Sequence, residues 1–69
     1  MNITVAGNKK EFEEGITILD LIRLEDVENP EYVTVTLNDD FLERGRFELT
    51  VLKSGDEVEF LYFMGGGAF

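Results

Sequence analysis

One stretch of this chain carries apolar residues at helical spacing, and almost everything else that is regular alternates. Ile18, Leu21 and Ile22 fall on one face of a helix that ends near Glu25 or Asp26, and Leu19 and Leu24 widen the stripe. Thr17 is a good N-cap, with Asp20 three residues later in the place of a capping-box partner. A single short helix cannot cover both faces of a sheet. One sheet face therefore packs on the helix, and the other meets solvent or a partner.

The alternating segments supply that sheet. Ile3 and Val5 oppose Asn2 and Thr4 in a first strand. Gly7-Asn8 is a turn signal, and residues 9–12 return as a hairpin partner. Val33, Val35 and Leu37 point one way and Tyr32, Thr34 and Thr36 the other, which makes residues 32–37 the clearest strand. Asn38-Asp39-Asp40 is a turn, Phe41-Leu42 a short strand, and residues 43–46 an irregular polar connector. Residues 48–52 are expected to form another short strand carrying Leu49 and Val51. Lys53-Ser54-Gly55-Asp56 is a turn before a last strand over residues 57–63. On that strand Val58, Phe60 and Tyr62 alternate with Glu57, Glu59, Leu61 and Phe63. The second set begins acidic and ends apolar, so its later members call for a covering element or a partner. Residues 25–31 read as an acidic loop in which Pro30 discourages helix at Asn29.

Composition narrows what such a domain can do. The chain has 69 residues, one domain's worth, with no Cys and no His. Disulfides, thiolate nucleophiles, the usual proton shuttle and the commonest metal ligand are all missing, so the core must hold the fold alone. No cofactor and no enzymatic activity are expected. Six Lys and Arg stand against fifteen Asp and Glu, a net charge of −9. Such a surface repels nucleic acid and suits docking on a basic protein surface, or serves solubility alone. Lys9, Lys10, Arg44 and Arg46 are too few for a nucleic-acid footprint. The acidic loop lacks the oxygen spacing and glycine of a calcium loop, and Ser54, the only serine, has no base beside it. The opening MNITVAGNKK has no positively charged region followed by an apolar run, and no apolar stretch is long enough to span a membrane. A cytoplasmic protein is the expectation.

The segment ends Met64-Gly65-Gly66-Gly67-Ala68-Phe69. Glycine loses more backbone entropy on ordering than any other residue, so the run is expected to leave the domain as a thin, mobile arm. Residues 1–64 would form the domain and residues 65–69 the tail. GDEVEFLYFMGGG (residues 55–67), LNDDFLERG (residues 37–45) and GITILDLI (residues 15–22) together resemble the thiamine-biosynthesis sulfur carriers, ThiS, and their molybdopterin (MoaD-type) relatives. The resemblance covers nearly the whole chain.

It implies an α+β fold of the β-grasp, ubiquitin-like type: a mixed sheet on one helix, with the last strand inside the sheet beside the first. It also implies a chemistry. The family's terminal glycine carboxylate is activated by ATP as an acyl-adenylate, and sulfur then displaces AMP to leave a thiocarboxylate. By match to the motif, Gly66 and Gly67 are the terminal pair and Gly67 the residue that carries sulfur, while Gly65 and Gly66 help the tail thread a partner's passage. The implied partners are an E1-like adenylating enzyme, a sulfur donor and an acceptor such as thiazole synthase. Family members typically end at the second glycine, whereas here Ala68-Phe69 follows and locks Gly67 in a peptide bond. That extension resembles carriers of homocysteine (methionine) biosynthesis, in which a metalloprotease removes the tail. Thiamine thiazole is the expected end product and homocysteine the alternative. A ubiquitin-like interaction module or protein tag is the reading from a different class. Phe41, Leu61, Phe63 and Met64 are candidates for an apolar docking patch near the arm, with the core as the competing place for Phe41 and Leu61. A monomer is expected, because a carrier hands its arm to several enzymes in turn.

Overall fold

A computed structural model describes residues 1–27 and 30–62, Tyr62 by its main chain alone. The chain opens as a hairpin of β1 (Asn2–Val5) and β2 (Asn8–Glu11), with Val5 paired to Asn8. The two-residue turn between them needs positive φ at both positions, and Ala6 and Gly7 sit at φ 50° and 84°. This handedness matches the twist of the flanking strands.

Helix α1 spans Ile18–Leu24. The N–H groups of the N-cap and the first three helical residues lack partners in the helix ladder, and here those of Thr17, Ile18, Leu19 and Asp20 each find one elsewhere, before Leu21 starts the ladder. Ile18 and Leu19 donate to the carbonyls of Thr50 and Phe47, at 3.0 and 3.1 Å. Asp20 donates to the Thr17 hydroxyl at 3.2 Å and Leu21 to the Thr17 carbonyl at 3.0 Å. The Asp20 carboxylate in turn accepts from the Thr17 N–H at 3.0 Å, so the capping box is complete. That N–H, then the Thr17 hydroxyl, and the nearby Arg23 charge outweigh desolvation and hold the Asp20 carboxyl below its usual value. A depressed folded-state value contributes stability above the unfolded-state value, and the contribution is lost as pH falls through the folded-state one. Urea unfolding is therefore expected to show a steeper loss of stability through the acid range for the parent than for Asp20→Asn. Parallel acid limbs for the two would remove the capping role.

Downstream come β3 (Val33–Leu37), β4 (Asp40–Leu42), a 3-10 turn at Arg44–Arg46 and β5 (Glu57–Tyr62). The Asn38-Asp39 turn repeats the device of the first hairpin, with φ 52° and 71°. The sheet order is β2-β1-β5-β3-β4. β5 runs parallel to β1 and antiparallel to β3. This is the mixed sheet on one helix of the β-grasp fold, with the last strand inside the sheet beside the first.

Ile3, Val5, Val33, Val35 and Val58 of the sheet meet Ile18, Leu21 and Ile22 of the helix in the core. Each buried side chain of this kind contributes about 1.5–3 kcal/mol relative to exposure. Phe47 and Leu52 close the core from the long connection after the 3-10 turn. The short strand expected over residues 48–52 does not form. Only an isolated bridge joins Thr17 to Val51, and Leu49 and Val51 are exposed. The carbonyls of Phe47 and Thr50 serve the helix N-terminus instead of a ladder. Leu24 also departs from expectation: it lies in the last turn and is exposed, so the buried stripe is Ile18, Leu21 and Ile22.

Candidate functional site

The residues expected to carry chemistry, Gly65, Gly66 and Gly67, lie outside the described residues, as do Ala68, Phe69 and the docking candidates Phe63 and Met64. What is described is their root. β5 occupies the middle of the sheet, and its last described residue, Tyr62, pairs with Val33 of β3. Its first half is held on both sides: Thr4 and Ala6 donate to the carbonyls of Asp56 and Val58 at 2.9 and 3.0 Å, and Val58 pairs across to Leu37. A segment following β5 therefore starts from a fixed point.

The helix-free face of the sheet surrounds that root. Val33 and Val35 point into the core, so Thr34 and Thr36 point the other way. Leu61 is opposite Thr34 and Phe41 is opposite Thr36, on the two strands flanking β3. The competing core placement fails for Phe41, which is 72% exposed, and for Leu61, which is half-buried on the open face and is not packed against the core. The two bracket β3 on the open face. Tyr32, one step before the strand, is 74% exposed and joins them in the alternation with Thr34 and Thr36. It was not among the expected docking residues. The signal is present in that alternation. Toward the opposite end of the same face the apolar groups give way to exposed Glu57 and Glu59.

Nothing described here resembles a catalytic centre. Among the described residues no cluster of Asp and Glu could hold a metal ion. An apolar groove of about 420 Å³ runs between α1 and the 3-10 turn, lined by Leu19, Ile22, Pro30, Arg44 and Phe47. Arg44 there is occupied as a strut. It donates to the carbonyls of Pro30 and Val33 at 2.6 and 3.0 Å and lies over the Phe47 ring. No helix among the described residues is long and apolar enough to cross a membrane.

The model of the ThiS family matches residues 2–67. The chain belongs to the ThiS family. The crystal structure of the thiamine biosynthesis protein ThiS from Geobacter metallireducens is 48% identical and superposes with a TM-score of 0.90, over 97% of this chain and 100% of that one. The solution structure of a thiamine biosynthesis protein from the same organism is also 48% identical. Its TM-score is 0.77, over 97% of this chain and 88% of that one. No curated protein sequence matches. As a ThiS-type chain it is a sulfur carrier and not an enzyme, and ThiS-type carriers work with E1-like adenylating enzymes and acceptor enzymes.

Proposed function

We infer that this chain carries sulfur for thiamine biosynthesis, on the carboxyl carbon of Gly67. The observation that supports this most directly is the extent of the family match, which stops at Gly67 and leaves Ala68 and Phe69 beyond it. Residues 1–64 form the carrier domain and residues 65–69 the working arm. A metalloprotease hydrolyses the Gly67–Ala68 bond and frees the Gly67 carboxylate. A carboxylate is a poor electrophile, so an adenylating enzyme first joins it to the AMP part of ATP, with release of pyrophosphate. Sulfide delivered by the donor then attacks the acyl carbon, AMP leaves with the bonding pair, and Gly67 holds a thiocarboxylate for thiazole synthase. The glycines matter because they present no side chain to a narrow passage and accept any backbone angle it imposes.

Ala68-Phe69 favours a second destination, homocysteine biosynthesis, with the same chemistry on the same residue. Intact-mass spectrometry of the protein recovered from its host tests the shared step. The expected result is loss of Ala plus Phe, followed by replacement of one oxygen by sulfur. Conjugates to larger proteins would instead mark a protein tag. Full-length, unmodified protein under sulfur demand would overturn the carrier chemistry.

Docking on the adenylating enzyme is assigned to Phe41, Leu61 and Tyr32 on the open face, together with Phe63 and Met64, which lie outside the described residues. Phe41→Asp is expected to leave stability within about 0.5 kcal/mol, as surface changes do. It should weaken binding to that enzyme about tenfold, the loss typical of an aromatic anchor. Unchanged affinity would remove Phe41 from the interface.

A further inference from the structure

Strand β4 stops too early to cover the start of β3. Its register sets Leu37 against Asp40, Thr36 against Phe41 and Val35 against Leu42. Continued by two residues, the same register would bring Val33 opposite Arg44 as the next hydrogen-bonded pair. The chain leaves the sheet instead, into the 3-10 turn at Arg44–Arg46. Asn38 donates to the Glu57 carbonyl of β5 at 2.8 Å. Even-numbered positions along β3 therefore turn their main-chain groups toward β5, and odd-numbered ones turn theirs toward β4. The Val33 carbonyl faces the place that β4 leaves open.

The Arg44 side chain takes that place. Its Nη2 donates to the Val33 carbonyl at 3.0 Å and its Nη1 to the Pro30 carbonyl at 2.6 Å. The guanidinium carbon lies 5.7 Å from the centroid of the Phe47 ring, within cation–π range. Phe47 is a core residue, and its carbonyl accepts from the Leu19 N–H of α1 at 3.1 Å. The guanidinium thus rests on the core while it grips the entry to β3. The sequence holds fifteen Asp and Glu, yet the ion pair found among the described residues is Lys10–Glu25, and Arg44 directs its two donors at carbonyls. Charge-assisted bonds from a planar fork fix direction as well as distance. Across the sheet from this grip, Val33 is opposite Tyr62, the last described residue of β5.

We propose that Arg44 is a positioning residue for the reaction at Gly67. It fixes the first residue of β3, and through the Val33–Tyr62 pair it sets the direction in which the chain leaves β5. The inference rests on the reading of Gly67 as the sulfur-bearing residue, and adds a group that acts on it from a distance. Glycine accepts almost any backbone angle, so the run of residues 65–67 encodes no direction of its own. Its direction has to come from its root, and Arg44 is the side chain that ties that root to the core.

The test pairs kinetics with hydrogen exchange. Pyrophosphate exchange is followed with the adenylating enzyme and carrier freed of Ala68 and Phe69. Arg44→Gln is expected to lower kcat about tenfold while KM stays within about twofold, because docking survives and the acyl carbon is misplaced. Arg44→Lys keeps the charge without the fork and should lower kcat about threefold. In the full-length chain, the Thr34 and Leu61 amides of Arg44→Gln should exchange with solvent about tenfold faster, with Val5 and Val58 unchanged. Ile3→Val loosens the domain from the core side and should leave kcat where it was. An unchanged kcat in Arg44→Gln, a rise in KM alone, unaltered Thr34 and Leu61 amides, or an equal fall of kcat in Ile3→Val would each overturn the proposal. A parent carrier that supports pyrophosphate exchange beside an unaffected Arg44→Gln removes the positioning role alone. A parent carrier that supports none removes the carrier chemistry on which that role rests.

Discussion

With Gly66→Val and Gly67→Val together, thiocarboxylate formation is expected to fall at least about a hundredfold, while the urea midpoint stays where it was. The loss follows from two properties of valine. Its branched side chain adds bulk in a passage that must admit a bare backbone, and it restricts the backbone to a few angles. An acyl carbon displaced by about 1 Å from its attacking group can cost a factor of a hundred. The stability readout stays flat because, among the described residues, the fully buried core lies at or before Val58, with Phe60 packed against it. Gly65→Ala is the graded control, and less than a threefold effect is expected there, roughly what a single methyl group outside the terminal pair should cost. Adenylation, followed by pyrophosphate exchange, should fail in parallel with sulfur loading. Normal loading of the double valine variant would show that the arm does not thread a confined site.

The second large effect concerns the domain itself. Leu21→Ala should cost about 3 kcal/mol, in the usual range for emptying a sealed leucine site. Leu21 is completely buried between the helix and the sheet. A domain of 69 residues has roughly 3–10 kcal/mol of stability in all. No disulfide is available to offset the loss, since the sequence has no Cys. A large unfolded fraction at body temperature is therefore expected, with a lower urea midpoint and an unchanged slope. Leu24→Ala is the internal comparison. It removes the same atoms from a position that is 61% exposed, and should cost under about 0.5 kcal/mol. Equal losses at the two sites would contradict the assignment of the buried stripe.

Those two leucines show where sequence reasoning worked and where it stopped. Leu21 and Leu24 are three apart and both suit a helical stripe. Only packing against Ile3, Val35 and Val58 decides which of them is covered. The helix start was legible because capping is local: Thr17 and Asp20 are three residues apart and bond each other. β3 was legible because its alternation is unbroken. The connection at residues 48–52 misled because its apolar residues have strand-like spacing, while its backbone is drawn off by the N-terminus of α1. The strand pairing could not be read from residues and came only through resemblance, since β1 and β5 lie more than fifty positions apart.

Because β1 and β5 lie side by side and run the same way, tension between the chain's start and the glycine end would load their hydrogen bonds together, in shear. Breaking them one at a time, as a zipper opens, would need force across the strands. An unfolding machine that grips the segment after β5 must therefore defeat the sheet at its strongest axis, and that end of the chain is a poor place from which to destroy the domain.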